Sequence, residues 1–282
     1  MTNAEWQIKL ASVQRILKGF ERVIVAFSGG VDSTLLLKLA RETLGRERVL
    51  AVTANSPSLA QADLAEASRL ASQLDVQHVV IDTTEVDNPG YQANSPSRCY
   101  VCKQELFARL EQVACERHVS TILYGAIGDD AHEERPGALA ASEYGVRAPL
   151  QEAGFSKPEV REAARALGLP NWDRPQNACL SSRIPHGLDV TSAKLKTIEQ
   201  AEAALKRLGF RIVRVRHLGD HARIEVGPDE VGRFSDPGVS RQVAGELARL
   251  GFRSVGVDRA GYRPGGADQA PTDELSLVKN EE

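Results

Sequence analysis

An uninterrupted apolar run, Val23-Ile24-Val25-Ala26-Phe27, leads straight into Ser28-Gly29-Gly30-Val31-Asp32-Ser33 and then into Thr34-Leu35-Leu36-Leu37-Lys38-Leu39-Ala40. A strand that is apolar at every position must be covered on both faces, which is the condition of a strand inside a parallel sheet. The run of Thr and Leu that follows reads as a helix. The same unit recurs down the first half of the chain. Strand patterns at 49–53, 76–81 and 121–125 alternate with helical patterns at 59–74 and 102–118. Repetition of strand, loop and helix predicts an α/β fold, a doubly wound parallel sheet with helices on both faces.

Residues 126–190 are less regular and rich in Gly, Pro and charge, with one helical pattern at 157–168. A loop-rich stretch of that length in a compact protein is more often functional than idle. From Thr191 the order changes to helix (192–208), strands (211–217 and 222–226), a helical stretch (229–250) and a last strand (252–258). That order predicts a smaller C-terminal α+β domain. The expected organisation is a first domain at 1–190, a second at 191–262 and a disordered tail at 263–282, because the tail bears Pro, Gly and acidic residues.

Composition excludes more than it identifies. Over 282 residues the net charge is −3, which argues against a protein that wraps nucleic acid by bulk charge. No stretch approaches the roughly 18 uncharged apolar residues of a membrane span. The first residues carry Glu5, Lys9, Arg15 and Lys18 and lack an apolar signal core, so a cytoplasmic location is expected. In a reducing compartment the four cysteines, Cys99, Cys102, Cys115 and Cys179, are expected to serve metal binding or catalysis rather than disulfides.

The strand-to-helix junction carries the first chemistry. Gly29 and Gly30 let the backbone turn tightly and bring N–H groups against an oxyanion, and the helix start adds its positive dipole end. Ser28 and Ser33 add hydroxyl donors, and the whole sits at the carboxyl end of a strand, where doubly wound sheets bind ligands. A capped glycine turn is the bland alternative. SGGVDS resembles the PP-loop of ATP pyrophosphatases, which activate substrates by transferring AMP and releasing pyrophosphate. No Gly-Lys-Ser/Thr occurs, so the motif is not a Walker loop. The resemblance implies an adenine nucleotide α-hydrolase-like fold, ATP as cosubstrate, Thr53 and Ala54 near the adenine, and Asp32 near the Mg2+ that the phosphates carry.

Arg98-Cys99-Tyr100-Val101-Cys102-Lys103 places two thiols just before a helical pattern, where thiol pKa is lowered. Two thiolates do not complete a zinc or iron–sulfur site, but Cys179, in the polar loop Asn177-Ala178-Cys179-Leu180-Ser181-Ser182-Arg183, supplies a third. Three such cysteines suit a 4Fe-4S cluster with one open iron. Cys115, inside an amphipathic pattern, is expected in the core. Arg214 and Arg216 alternate along a strand and share a face, suited to a phosphate or equally to solvent.

The combination of SGGVDS, RCYVCK, Gly125-Ala126-Ile127-Gly128-Asp129-Asp130, Arg135-Pro136-Gly137, Ala178-Cys179-Leu180-Ser181-Ser182-Arg183 and Val213-Arg214-Val215-Arg216-His217 is similar to the LarE family. The resemblance runs from about residue 8 to 260. Members of that family are ATP-dependent sulfur transferases that build the nickel-pincer nucleotide cofactor. The resemblance implies adenylation of a carboxylate of pyridinium-3,5-biscarboxylic acid mononucleotide, followed by attack of Cys179 on the acyl adenylate. In the sacrificial form Cys179 gives up its sulfur and becomes dehydroalanine. In the cluster form Cys99, Cys102 and Cys179 hold a 4Fe-4S cluster that delivers sulfide, and the presence of Cys99 and Cys102 tips the reading slightly toward that form.

By the same resemblance Asp129 and Arg135 contact ATP or pyrophosphate, although Asp129, Asp130, Glu133 and Glu134 read equally well as a charged surface loop. The resemblance further implies that Arg214 and Arg216 hold the substrate phosphate and that Glu202 is a metal-binding acid, while Arg183, four residues after Cys179, is placed to stabilise thiolate or adenylate charge. The implied partners are a small-molecule nucleotide and further copies of the chain, with neither membrane nor nucleic acid. Two rival functions share parts of this pattern. A tRNA thiolase would use the same adenylation and cysteines and would purify with RNase-sensitive nucleic acid. A non-catalytic nucleotide sensor would need the cradle but not Cys179, and would leave ATP intact.

Overall fold

The computed structural model of the chain describes residues 5–129, 136–175, 178–263 and 273–279. In chain order its elements are α1 (Glu5–Lys18), β1 (Val23–Ala26), α2 (Val31–Leu44), β2 (Val49–Asn55), α3 (Gln61–Gln73), β3 (Gln77–Asp82), α4 (Pro89–Gln92), α5 (Arg98–Glu116) and β4 (Thr121–Tyr124). There follow α6 (Pro136–Glu143), α7 (Pro149–Glu152), α8 (Lys157–Ala166), α9 (Ser192–Arg207), β5 (Val213–Leu218), β6 (His221–Val226), α10 (Pro237–Arg249), β7 (Ser254–Asp258) and β8 (Glu274–Lys279). These fall into two compact units, Met1–Glu85 with Ser97–Asn177, and Val86–Pro96 with Ala178–Glu282.

The first unit is built on a sheet of order β3-β2-β1-β4 in which each neighbouring pair is parallel. Alternate residues of its strands go to opposite faces. Val23, Val25, Val49, Ala51 and Leu123 pack with Leu17, Leu36, Ala67 and Val160 from α1, α2, α3 and α8. Ile24, Leu50, Val52 and Ile122 pack with Phe107 and Leu110 of α5 and Ala140 of α6. Both faces of β1 are therefore dry, which is why its sequence is apolar at successive positions. The doubly wound sheet expected from the sequence is the one found. Its strand order reverses between β1 and β4, and ligands in such sheets bind at the carboxyl ends near that point.

The second unit holds a sheet of order β5-β6-β7-β8, with β5–β6 and β7–β8 antiparallel and β6–β7 parallel. One face carries Val213, Val215 and Ile224 against Ala201 and Leu205 of α9 and Val243 and Leu247 of α10. The opposite parity, Arg214, Arg216, Arg223 and Glu225, falls on the other face. The small α+β arrangement is as expected, but three details differ. The division falls at residue 178 rather than 191, because the Cys179 turn packs with α9 and β5. The segment Val86–Pro96 also belongs to this unit: Asn94 Nδ2 donates to the Pro185 and Leu188 carbonyls at 2.7 and 2.8 Å, and Val190 N donates to Gln92 O at 2.9 Å. Finally, Glu274–Lys279, inside the stretch expected to be a disordered tail, forms β8. Its Leu275 and Leu277 alternate onto the core of the unit, a two-residue period that the acidic, Pro-bearing composition around it conceals. Residues 264–272 and 280–282 of that stretch lie outside the described residues.

Candidate active site

The glycine loop follows β1 and opens α2, and its side chains form a closed set of hydrogen bonds. Ser33 Oγ donates to Gly30 O at 3.1 Å and lies 3.1 Å from Ser28 Oγ, and Thr34 Oγ1 donates to Gly30 O at 2.8 Å. Gly29 sits at φ +70°, and a Cβ on it would lie 3.1 Å from the Ala67 Cα, so both its conformation and the approach of α3 require glycine. Gly125, just past β4, plays the same part from the other side: a Cβ there would stand 2.8 Å from the Ser33 nitrogen. The helix starts at Val31 with Gly30 as its cap, so Asp32 lies inside the first turn rather than capping it.

Beside this loop is a cavity of about 460 Å3, within the size range of small-molecule sites. Its walls come from the carboxyl ends of β1, β2 and β4 and from the first turns of α5 and α6. Of the residues singled out from sequence, Ser28, Asp32, Ser33, Thr53, Ala54 and Cys99 line it. The Thr53 hydroxyl is already committed, donating to Phe27 O at 2.6 Å and lying 2.8 Å from His78 Nε2. Burial depresses the His78 pKa, keeping the ring neutral beside that hydroxyl. Asp129 does not line the cavity; its carboxylate accepts the Lys157 backbone N–H at 2.8 Å at the start of α8. Arg135 and Asp130 lie outside the described residues.

Several residues of this site have no sequence signature strong enough to single them out. Lys157 Nζ holds both oxygens of Asp32, at 2.8 and 2.6 Å. Its position is marked only by Ser156-Lys157-Pro158-Glu159, a capping-box spacing in which Glu159 accepts the Ser156 N–H at 2.8 Å. Asn171 and Arg174 reach the Gly29 carbonyl at 3.0 and 3.4 Å. Lys103, four residues after Cys99 on α5, joins it in the cavity wall.

The second unit gathers the other predicted residues. Cys179 is exposed and caps a short turn of tight helix, Leu180–Arg183. Arg183 is 2% exposed and grips that turn, donating through Nη1 to Ala178 O at 2.6 Å and Cys179 O at 3.0 Å, and through Nε to Glu202 at 2.8 Å. Its charge is thus committed to the backbone under the cysteine and to Glu202, not to the thiol. Glu202, expected as a metal-binding acid, has one oxygen on Arg183 Nε and the Val215 N–H and the other on Arg183 Nη2 at 3.2 Å.

Arg214 and Arg216 share a face as expected, but they are buried rather than exposed. Arg216 forms a two-pronged pair with Glu225 at 2.9 and 2.6 Å and donates to Ser182 O at 2.9 Å. Arg214 lies 5.0 Å over the Tyr262 ring, and its pKa is depressed by burial first and by nearby Arg183 second. With Arg223 beside Glu225, four guanidinium groups share this region with Glu202 and Glu225 among the described residues. Guanidinium groups gathered in this way, away from bulk water, are suited to an anionic ligand.

Cys99 and Cys102 lie about one turn apart at the start of α5, while Cys115 is exposed rather than in the core. It follows Ala114, the last residue of the buried stripe Phe107, Leu110 and Ala114, and so turns about 100° away from it. Among the described residues, no group of three or more His, Cys, Asp or Glu is arranged to hold a metal ion. Cys115 stands 13 residues beyond Cys102 on the same helix, a rise of about 20 Å. The first unit therefore presents two thiols to any one centre, short of what a 4Fe-4S cluster takes.

A parallel sheet that ends at its switch point in a double-glycine, double-serine cradle, with a nucleotide-sized cavity beside it, defines the PP-loop class of ATP pyrophosphatases. The NAD synthase family matches residues 11–172. The chain is 40% identical over 261 residues, 91% of its own length and 92% of the relative's, to the pyridinium-3,5-bisthiocarboxylic acid mononucleotide synthase of Lactiplantibacillus plantarum. It is 40% identical over 257 residues to the uncharacterized protein slr1717 of Synechocystis sp., covering 91% and 96% of the two chains. A shorter likeness, 30% over 159 residues, links it to the argininosuccinate synthase of Natronomonas pharaonis, across 53% and 40% of the respective lengths. Within the PP-loop class, the chain belongs to the LarE family of ATP-dependent sulfur transferases. No described helix is long and apolar enough to cross a membrane.

Proposed function

We propose that this enzyme converts a carboxylate of pyridinium-3,5-biscarboxylic acid mononucleotide to a thiocarboxylate, using ATP for activation and the sulfur of Cys179. The carboxylate attacks the α-phosphorus of ATP, pyrophosphate leaves, and an acyl adenylate forms. Ser28, Gly29, Gly30 and Ser33 cradle the departing pyrophosphate, and Asp32 meets the Mg2+ that accompanies it. Asp129 and Arg135 belong to this phosphate end. The Cys179 thiolate then adds to the acyl carbon and AMP leaves, giving a thioester. Removal of the Cys179 α-proton with cleavage of its Cβ–Sγ bond leaves dehydroalanine in the chain and the thiocarboxylate on the product. Arg214 and Arg216 take the phosphate of the substrate nucleotide, and Glu202 contributes through Arg183.

The observation that carries this reading is an exposed cysteine on a turn braced by a buried arginine, in a chain that also has a pyrophosphate cradle. The buried cluster of guanidinium groups fits an anionic substrate. A second sulfur route, a 4Fe-4S cluster on Cys99, Cys102 and Cys179, is favoured by the two thiols one turn apart at the start of α5. Such a cluster would supply sulfide and spare the protein.

Intact mass and iron content, before and after turnover with ATP, Mg2+ and the biscarboxylate nucleotide, separate the two routes. Iron-free protein that becomes lighter by one hydrogen sulfide at Cys179 establishes the sacrificial route, and iron-bearing protein of unchanged mass establishes the other. Cys179→Ala is expected to keep pyrophosphate exchange into ATP and to lose all thiolation. Absence of both AMP and thiolated product in the wild-type reaction would overturn the assignment.

A further inference from the structure

The peptide joining Gly29 to Gly30 is the least constrained in the phosphate cradle, since neither residue has a side chain to set its plane. Its two polar groups point opposite ways. The Gly30 N–H is directed at Ser28 Oγ, 3.3 Å away, on the side of a residue that lines the cavity. The Gly29 carbonyl is held by Asn171 Nδ2 at 3.0 Å, with Arg174 Nη1 behind it at 3.4 Å. A flip of this peptide would exchange a donor for an acceptor at the cradle and turn a carbonyl oxygen toward bound phosphate.

Asn171 is placed to prevent that flip. It is 4% exposed, and its Nδ2 also donates to Thr34 Oγ1 at 2.9 Å. The orientation of its amide follows from its neighbours. The Gly29 oxygen can only accept, and the Thr34 hydroxyl proton is committed to Gly30 O at 2.8 Å, so both face the nitrogen end of the amide. The amide oxygen is left with no hydrogen-bond partner among the described residues. A buried polar atom without a partner is destabilising, which argues that the orientation is imposed by the two bonds on the nitrogen. Arg174 is fixed in turn by Asp63 at 2.5 Å, so the second support is itself anchored.

We propose that Asn171, supported by Arg174, is a positioning residue that locks the Gly29–Gly30 peptide with its N–H toward the phosphates of ATP. The side chain touches no substrate; it acts through the backbone of the loop. This rests on the reading of the loop as the pyrophosphate cradle. A loop that samples a flipped state binds phosphate only in its competent fraction, and apparent affinity falls by that fraction.

The test uses the full-length enzyme and compares binding of Mg2+·ATP with binding of adenosine, which has no phosphate to sense the loop. Asn171→Leu removes the bond and is expected to weaken ATP binding about tenfold. Asn171→Asp is isosteric but sets oxygen against the Gly29 oxygen, and is expected to weaken it on the order of a hundredfold. Adenosine affinity should be the same in all three proteins, and the loss should appear in KM for ATP more than in kcat. Equal ATP affinity across wild type and both variants overturns the clamp. So does a parallel loss of adenosine binding, since that is the mark of a general structural role. Wild-type enzyme that binds adenosine but gains nothing from the phosphates would instead overturn the reading of the cradle.

Discussion

Arg183 ties together three things that the sequence keeps apart: the backbone under Cys179, the Ser182 hydroxyl and the Glu202 carboxylate on α9. A guanidinium has five donors in a planar fork, and here five contacts within 3.2 Å engage its three nitrogens. Because the pair with Glu202 is almost wholly buried, removing one partner strands the other. Arg183→Met is expected to destabilise the second unit by about 3–5 kcal/mol, and chemical denaturation monitored in that unit measures it. The same variant should slow sulfur transfer while leaving pyrophosphate exchange intact, since the cradle lies in the other unit. Residues of this kind are hard to read from a linear chain. Arg183 is visible there as a charge near a thiol, but its partner lies 19 positions on, and nothing local announces that the pair is buried. The position of the glycine loop between β1 and α2, by contrast, is legible, since contiguous Ser, Gly and Asp have few other uses between a strand and a helix.

At the scale of elements, apolar runs and helical periods locate β1, β2, β4, α2, α8 and α9 to within a few residues of their observed ends. What escapes includes α1, the short helices α6 and α7 inside the irregular stretch, and β8, where Glu274-Leu275-Ser276-Leu277 alternates too briefly to stand out from its acidic surroundings. That strand covers the outer edge of β7, and an uncovered edge is a template for pairing with another chain. A protein ending at Arg263 is therefore expected to unfold at lower temperature and to aggregate at concentrations where the full chain does not. Calorimetry with light scattering checks both. The loss should trace to Leu275 and Leu277, so replacing both by Ser in the full chain should reproduce most of it.

For the whole molecule, titration adds a pH dependence whose sign is fixed by burial. His78 and His217 each have a pKa held below the ordinary histidine value by burial. In the unfolded chain both take up protons near pH 6.5, while in the folded protein they resist until lower pH. The unfolded state then binds more protons across that interval, so stability is full above about pH 6.5 and declines as pH falls toward the folded values. Glu152 and Glu159 have depressed pKa values as well, Glu152 through Arg147, and Glu159, against the opposing effect of its burial, through Lys9 and Ser156. Their contributions are lost at lower pH, below about 4.5. Melting temperature against pH should thus fall in two stages. His78→Gln should shrink the first, leaving the part due to His217, and leave the second in place.

The division of the chain into units that are not continuous in sequence bears on how it is made. Val86–Pro96 leaves the first unit, and the buried Asn94 amide nitrogen donates to the Pro185 and Leu188 carbonyls, some 90 positions later. On a ribosome that interval takes several seconds at ordinary elongation rates of about 5–20 residues per second. Throughout it, Tyr91 and Asn94 wait without Ser181, Pro185 and Leu188, although the strands and helices before them are already available to pack. The first unit itself cannot close until α8 and the residues up to Arg174 have emerged to meet α2 and the glycine loop. Synthesis therefore completes the first unit only near residue 177 and the second only when β8 emerges, and a chain stalled between Glu85 and Asn171 holds a glycine loop that still lacks the Asn171 and Arg174 contacts to its Gly29 carbonyl.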